Sequence, residues 1–192
     1  MKAIQVFCGS SKGSNPMYTK AAKKLGRLMA EQGITLVYGA GNVGLMGVIA
    51  DEVLDHGGKA IGVIPDFLVK KEVCHGGLTE LFIVNSMDER KLKMAELSDG
   101  TIAMPGVFGA LDELFEILSL VQLRQLEQPI AVLNTNGFYD HLIAHIAHLH
   151  EEHFLREMHR DMLLVSDNPA ELLDQMTKHR PIGNVGKWWN RK

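Results

Sequence analysis

The sequence predicts an α/β protein of three layers: a parallel sheet of about seven strands with helices on both faces. Two patterns lead there. Short β-rich apolar runs alternate along the chain with longer segments of helical period. The short runs are continuously apolar rather than alternating, as in strands covered on both sides. Strand–helix alternation then makes right-handed crossovers between parallel neighbours.

Ala3 to Cys8 reads as the first strand, and Gly9 to Asn15 as a loop by composition. Pro16 suits the first turn of a helix whose apolar stripe is Ala21, Ala22, Leu25, Leu28 and Met29, closed by Gly33. Ile34 to Tyr38 is the second strand. A helix from Gly44 to His56 follows, ended by Gly57-Gly58. Ala60 to Ile64 is the third strand, stopped by Pro65, and the stretch from Pro65 to Glu80 is irregular. Leu81 to Val84 and Thr101 to Met104 are the fourth and fifth strands, with a helix from Met87 to Leu97 between them. A helix from Leu111 to Leu126, a strand from Ile130 to Leu133, a helix from Phe138 to His153 and a strand from Met162 to Val165 follow. Asp167-Asn168-Pro169 caps a last helix reaching about Thr177.

Composition narrows the function classes. The 192 residues suit one domain, expected over 1–180, with a polar tail over 181–192 that carries Trp188-Trp189. Lys plus Arg is 20 against 23 acidic residues, a net charge of −3, so no bulk basic field is offered to nucleic acid and no polybasic anchor to a membrane. No apolar run is long enough for a membrane span, and Met1-Lys2-Ala3 leads directly into a strand. Cys8 and Cys74 form no framework and read as reduced thiols of a cytoplasmic protein.

Three glycine-rich turns stand at strand ends: Gly9-Ser10-Ser11, Gly39-Ala40-Gly41-Asn42-Val43-Gly44, and Pro105-Gly106-Val107-Phe108-Gly109-Ala110. Glycine lets backbone approach a ligand, and a helix opening after the turn aims N–H groups at an anion. Together they predict a nucleotide or sugar-phosphate cradle at one edge of the sheet. The second turn also matches GxGxxG, so a dinucleotide oxidoreductase is an alternative. It follows the second strand rather than the first, and Pro65 disturbs the turn that presents a ribose-binding acid. Arg90 and Lys91 begin a helix near the same edge, where Arg90 can pair with phosphate or carboxylate. Glu113 stands in the first turn of a very apolar helix, either as a partner of the helix dipole or as an acid/base group. That helix is apolar nearly all round, which predicts a second subunit packed on it. His141, His145 and His148 share one side of a helix without acidic or cysteine partners, so they read as an outer face rather than a metal site. Ser10 and Ser11 lack a nucleophile elbow.

These residues resemble the LOG family, the cytokinin riboside 5′-monophosphate phosphoribohydrolases, also called lysine decarboxylase-like. The family pattern PGGxGTxxE falls on Pro105 to Glu113, with Val107 for the second glycine and Ala110 for the threonine. YGGGxxGLMG falls on Tyr38 to Gly47, with Ala40 for a glycine, and the arginine–lysine pair falls on Arg90-Lys91, with Asp88 where histidine is usual. The resemblance implies a Rossmann-like fold, a homodimer, no cofactor, and hydrolysis of the N-glycosidic bond of N6-modified adenylates or AMP. It implies Arg90 and Glu113 as the catalytic pair. It implies substrate contacts at Gly9, Ser10, Gly39, Gly41, Glu72, Met87, Lys91, Gly106, Val107, Phe108, Gly109, Ala110 and Ser119. Val107 places a side chain, and Ala110 removes a hydroxyl, where the phosphate is expected. Both departures favour the alternative of a non-catalytic nucleotide or cofactor carrier of the same fold.

Overall fold

The computed structural model describes residues 1–69 and 74–180. Seven parallel strands form one sheet in the order β4-β3-β2-β1-β5-β6-β7. They are β1 (Ala3–Phe7), β2 (Thr35–Tyr38), β3 (Ala60–Pro65), β4 (Glu80–Val84), β5 (Thr101–Ala103), β6 (Ile130–Leu133) and β7 (Leu163–Ser166). The helices are α1 (Pro16–Glu31), α2 (Gly44–Asp55), α3 (Asp66–Val69), α4 (Met87–Glu96), α5 (Phe108–Gln122), α6 (Asp140–Glu151), α7 (Glu157–Arg160) and α8 (Pro169–Lys178). The three-layer expectation holds. Glu72 and the tail from 181 lie outside the described residues.

Alternation within each strand divides the core between the two faces. Ile4 and Val6 of β1 meet α1, α2 and α8 through Leu25, Met29, Ile49, Val53 and Leu172. Phe7 faces α4 and α5 through Met94, Leu114 and Ile117, with Tyr139 just before α6 and Leu142 within it packed on the same cluster. Burial on both faces fails at the sheet's edges, because β4 and β7 each lack a neighbour on one side. Leu81 and Ile83 of β4 are 42% and 58% exposed. Pro65 ends β3 from within, paired with Val84.

Two expected helices are shorter than their apolar pattern. The segment expected over Leu111 to Leu126 is helical from Phe108 to Gln122. Beyond it Gln125 N–H donates to Leu120 C=O and Arg124 N–H to Val121 C=O, with Arg124 left-handed at φ 59°. This is a Schellman end made without glycine. The segment expected from Phe138 to His153 is preceded by a 3-10 turn, Thr135–Gly137, and ends at Glu151 in the same way, with His153 at φ 62°. The short helices α3 and α7 have no periodic signal.

The chain adds strands leftward from β1 to β4 and then crosses to β5 on the other side of β1. The ends of β1 and β5 therefore flank the point where the winding reverses, the place where open α/β sheets hold ligands. The turns are tied together there. Gly9 N–H donates to Pro105 C=O at 3.0 Å, and Leu45 N–H donates to Gly9 C=O at 3.0 Å. Gly44 packs so tightly on the first turn that a Cβ would stand 2.1 Å from Ser10 C, and its φ is +63°. Gly57 has φ +73° with open space around it. Gly57→Ala should cost only left-handed strain, about 1–2 kcal/mol. Gly44→Ala should cost clearly more than that, because backbone must also move. Denaturant midpoints test this; equal losses would sink the claim that the two turns are packed together.

Candidate active site

Helix starts at the ligand edge differ in how their free N–H groups are met. α1 and α8 are capped by Asn15 and Asn168 side chains. At α4, Ser86 Oγ accepts from Glu89 N–H, and Glu89 Oε2 accepts from Asn85 N–H, so the helix supplies its own carboxylate. α6 opens on Asp140. α2 and α5 have neither a side-chain cap nor an acid in the first turn. The first intrahelical bond of α5 is Leu111 N–H to Val107 C=O, which leaves the N–H groups of Phe108, Gly109 and Ala110 without helical acceptors. Three free N–H groups at the positive end of the dipole make an anion site. Gly109 faces open space, and Gly106 packs its Cα against Gly9 with the Ala110 methyl beneath it. Val107 has φ −109°, a conformation that valine adopts freely, and its side chain is 66% exposed.

Beside this cradle lies a buried pair. Arg90 of α4 is 9% exposed and Glu113 of α5 is 7% exposed, with Nη2 and Oε1 3.7 Å apart. Arg90 does not lie on a solvated helix face. Its guanidinium rests on the second turn, where a Cβ on Gly39 would come within 2.0 Å of Nη2. Gly39 is thus required by a protein side chain, which removes the reason to read GxGxxG as a pyrophosphate loop. Arg90 Nη1 contacts Met87 Sδ at 3.7 Å, and Nε has no hydrogen-bond partner. A guanidinium carries five donors, so this one is poorly satisfied by the protein and suited to a ligand. Burial pushes the Glu113 carboxyl up to about 7, with the Arg90 charge opposing. Cys8, at the end of β1, has its thiol raised by burial first and by Glu113 second.

The structure thus brings Gly9, Ser10, Gly39, Gly41, Met87, Arg90, Glu113 and Gly106 to Ala110 to one edge. Lys91 turns instead toward α5, pairing with Asp112 at 3.2 Å and with Glu116. Ser119 donates to Phe115 C=O of its own helix, two turns beyond the cradle. His141, His145 and His148 lie exposed on α6. Reading the sequence alone missed the segment after residue 73. Cys74 bridges Gly41, His75 N–H donates to Ala40 C=O, and His75 Nε2 lies 2.9 Å from Asp51 Oδ1. It had no periodic signal.

The comparisons decide the family. Residues 46–176 match the protein family described as "Possible lysine decarboxylase". The cytokinin riboside 5′-monophosphate phosphoribohydrolase LOG of Oryza sativa subsp. japonica is 39% identical over 98% of this chain and 78% of its own. The chain belongs to the LOG family. LOG7 of Arabidopsis thaliana, a cytokinin riboside 5′-monophosphate phosphoribohydrolase, is 40% identical over 94% of this chain and 83% of its own. Among solved structures, the molybdenum cofactor carrier protein of Chlamydomonas reinhardtii aligns with a TM-score of 0.66 and 16% identity, over 92% of this chain and 98% of that one. The molybdenum cofactor binding protein of Rippkaea orientalis gives 0.64 and 19%, over 91% and 94%. At such identities these two bear on the fold alone. No helix among the described residues is long and apolar enough to cross a membrane.

The raised carboxyl carries a stability consequence. Folded Glu113 keeps its proton up to about pH 7, whereas a solvated glutamate loses it near 4.5. Folding therefore takes up a proton between these values, and the contribution favouring the fold is lost as pH rises through about 7. Glu113→Gln removes that dependence. Its stability relative to wild type should improve by on the order of 1–3 kcal/mol between pH 4.5 and pH 8. Denaturant midpoints across that range check it, and a difference flat with pH would refute the raised carboxyl.

Proposed function

We propose that this protein hydrolyses the N-glycosidic bond of AMP, N6-modified adenosine 5′-monophosphates or both, releasing free base and ribose 5-phosphate. The observation that carries the reading is the buried Arg90–Glu113 pair beside the uncapped start of α5. The family's named activities support it. In this reading the 5′-phosphate takes the N–H groups of Phe108, Gly109 and Ala110, with Gly9 and Gly106 allowing close approach. Anchoring the phosphate orients C1′, so binding energy is used to position the reacting carbon. As the bond from C1′ to the base breaks, its electron pair leaves with the base and the sugar gains oxocarbenium character. Glu113, as carboxylate, stabilises that cation and takes one proton of the water that adds to C1′. A proton delivered through solvent neutralises the departed base, and Glu113 gives up its own to solvent, restoring the carboxylate. Arg90 holds the substrate and compensates charge near the leaving base. No cofactor enters, and the site is reached from solution in a cytoplasmic protein.

Glu113→Gln should lower kcat by at least about 100-fold while AMP still binds. Arg90→Ala should weaken both turnover and binding, since guanidinium contacts exist in the ground state as well. kcat/KM of the wild type should rise with pH through about 7 and then level off, because the ionised carboxylate is the working form. Adenosine should be turned over far more slowly than AMP. Near-normal turnover in Glu113→Gln would end the catalytic assignment, and equal rates on adenosine would end the phosphate anchor.

A carrier is the second reading, favoured by the departures from the family pattern at Val107 and Ala110. Tight nucleotide binding with no base released from AMP, persisting in Val107→Gly with Ala110→Thr, would establish it over hydrolysis.

We also propose a homodimer packed on the outer faces of α4 and α5. Leu92, Phe115 and Leu123 are 55%, 41% and 51% exposed there, beside Phe108 at 90%. Light scattering at micromolar concentration should give at least twice the chain mass. A monomer would count against it.

A further inference from the structure

Lys91, the residue after Arg90, bridges α4 to α5. Its ammonium pairs with Glu116 and lies 3.2 Å from Asp112, with Asp88 of its own helix at 3.9 Å. Its side chain is 13% exposed. Asp112 and Glu116 bracket Glu113 on α5, so two adjacent residues of α4 meet one turn of α5. Elsewhere the two helices rest on different strands, α4 on β3 and β4, and α5 on β5 and β1. Between them is a narrow groove whose lining includes Phe7, Lys91, Glu113 and Glu116. At 3.7 Å, Arg90 and Glu113 are too far apart to clamp one another by a charge-assisted hydrogen bond. Contacts outside the pair therefore set their spacing: Gly39 and Met87 seat the guanidinium, and the bridge from Lys91 ties α4 to α5. The charge at Lys91 is also committed. With Asp112 and Glu116 the local sum is negative, so a phosphate dianion would be repelled there.

We propose that Lys91 is a positioning residue: by joining α4 to Asp112 and Glu116 of α5 it sets the separation of Arg90 and Glu113, and it does not contact the substrate. The kinetic part of this inference rests on the hydrolytic reading above.

The deciding variant is the double substitution Asp112→Asn with Glu116→Gln, which frees Lys91 and removes two partly exposed carboxylates. With AMP, kcat should fall about 10-fold or more and KM should change less than about 3-fold, the pattern of lost positioning. Lys91→Met keeps the apolar stem and should give the same split. Lys91→Arg, which can still reach both carboxylates, should recover most of the loss. A phosphate-binding lysine predicts the reverse. Freeing it would lower KM with kcat kept, and Lys91→Met would raise KM about 10-fold or more. Either of those results overturns the proposal. A second readout needs no turnover. The carboxyl of Glu113 is followed by carbon-13 NMR across pH, its signal assigned by its absence in Glu113→Gln. The negative charges of Asp112 and Glu116 both raise the Glu113 pKa, and Arg90 and Lys91 lower it. The titration is therefore read in the triple variant that adds Lys91→Met to the double substitution, so that a freed Lys91 cannot move the value. Deleting these three charges alone removes two raising influences against one smaller lowering one and must lower the pKa. Losing the bridge releases Arg90 and raises it instead. A rise supports positioning, and a fall or no change overturns it. An inactive wild type would remove the hydrolytic reading and leave this titration to decide.

Discussion

A carboxyl and a guanidinium, each about nine-tenths buried and 3.7 Å apart, set the terms for everything at the open edge of the sheet. Burying ionisable groups is costly unless each charge is compensated, and this pair compensates only in part. Glu113 is pushed up to about 7 because burial outweighs Arg90, and Arg90 retains a donor with no acceptor. The surrounding fold makes this arrangement persist. Arg90 is fixed from below by the bare Gly39 backbone and from the side by Met87. Glu113 is fixed by α5, whose Leu114 and Ile117 are anchored in the core under Phe7 and Val132. Incomplete mutual satisfaction is what distinguishes a site from an ordinary buried ion pair, and perturbed titration in a cleft is its usual signature.

The treatment of helix starts follows the same logic. A side-chain cap is worth about 1 kcal/mol. α1, α4 and α8 have one, while α2 and α5, which open beside the pair, do not. α2 uses Leu45 N–H to hold the first turn, so its free end is partly consumed in building the cradle. α5 is the start left with three free donors, and it is also the helix that carries Glu113. The free N–H groups and the acid are thereby parts of one rigid element, separated by about one turn of helix. A ligand held at one end has its reacting carbon placed relative to the other without any loop movement.

Much of this was legible in the sequence, for definable reasons. Strands here are continuous apolar runs punctuated by glycine and proline, and all seven were found in place. The three turns were legible as one packed edge of the sheet because glycine and a following helix act locally. What escaped depends on left-handed residues other than glycine or on contacts distant in the chain. Arg124 and His153 end α5 and α6 in conformations usually given to glycine, so apolar periodicity ran past both ends. Edge exposure at Leu81 and Ile83 depends on sheet order, which no single strand encodes. GxGxxG looked like a dinucleotide signature, but the need for Gly39 comes from Arg90, 51 positions later. The commitment of Lys91 to Asp112 and Glu116 has the same origin: the pairing joins residues 21 and 25 positions apart.

The two departures from the family pattern at the cradle can now be weighed separately. Val107 stands where the family has glycine, yet its φ is −109° and its side chain is mostly in solvent. Nothing at this position demands glycine, and the N–H groups of Phe108, Gly109 and Ala110 keep their direction from α5. Ala110 is different, because its methyl lies buried under Gly106, where the family has a hydroxyl near the free N–H groups. In the hydrolytic reading proposed above, the deficit is one hydrogen bond to a charged phosphate, about 1.5–3 kcal/mol, or roughly 10- to 150-fold in affinity. A loss of that size weakens the anchor but does not dismantle it, since three backbone donors and the helix dipole remain. Glu113 and Arg90 are untouched by either change. Under that reading the substitutions bear on how tightly phosphate is held, and they leave the buried pair unchanged.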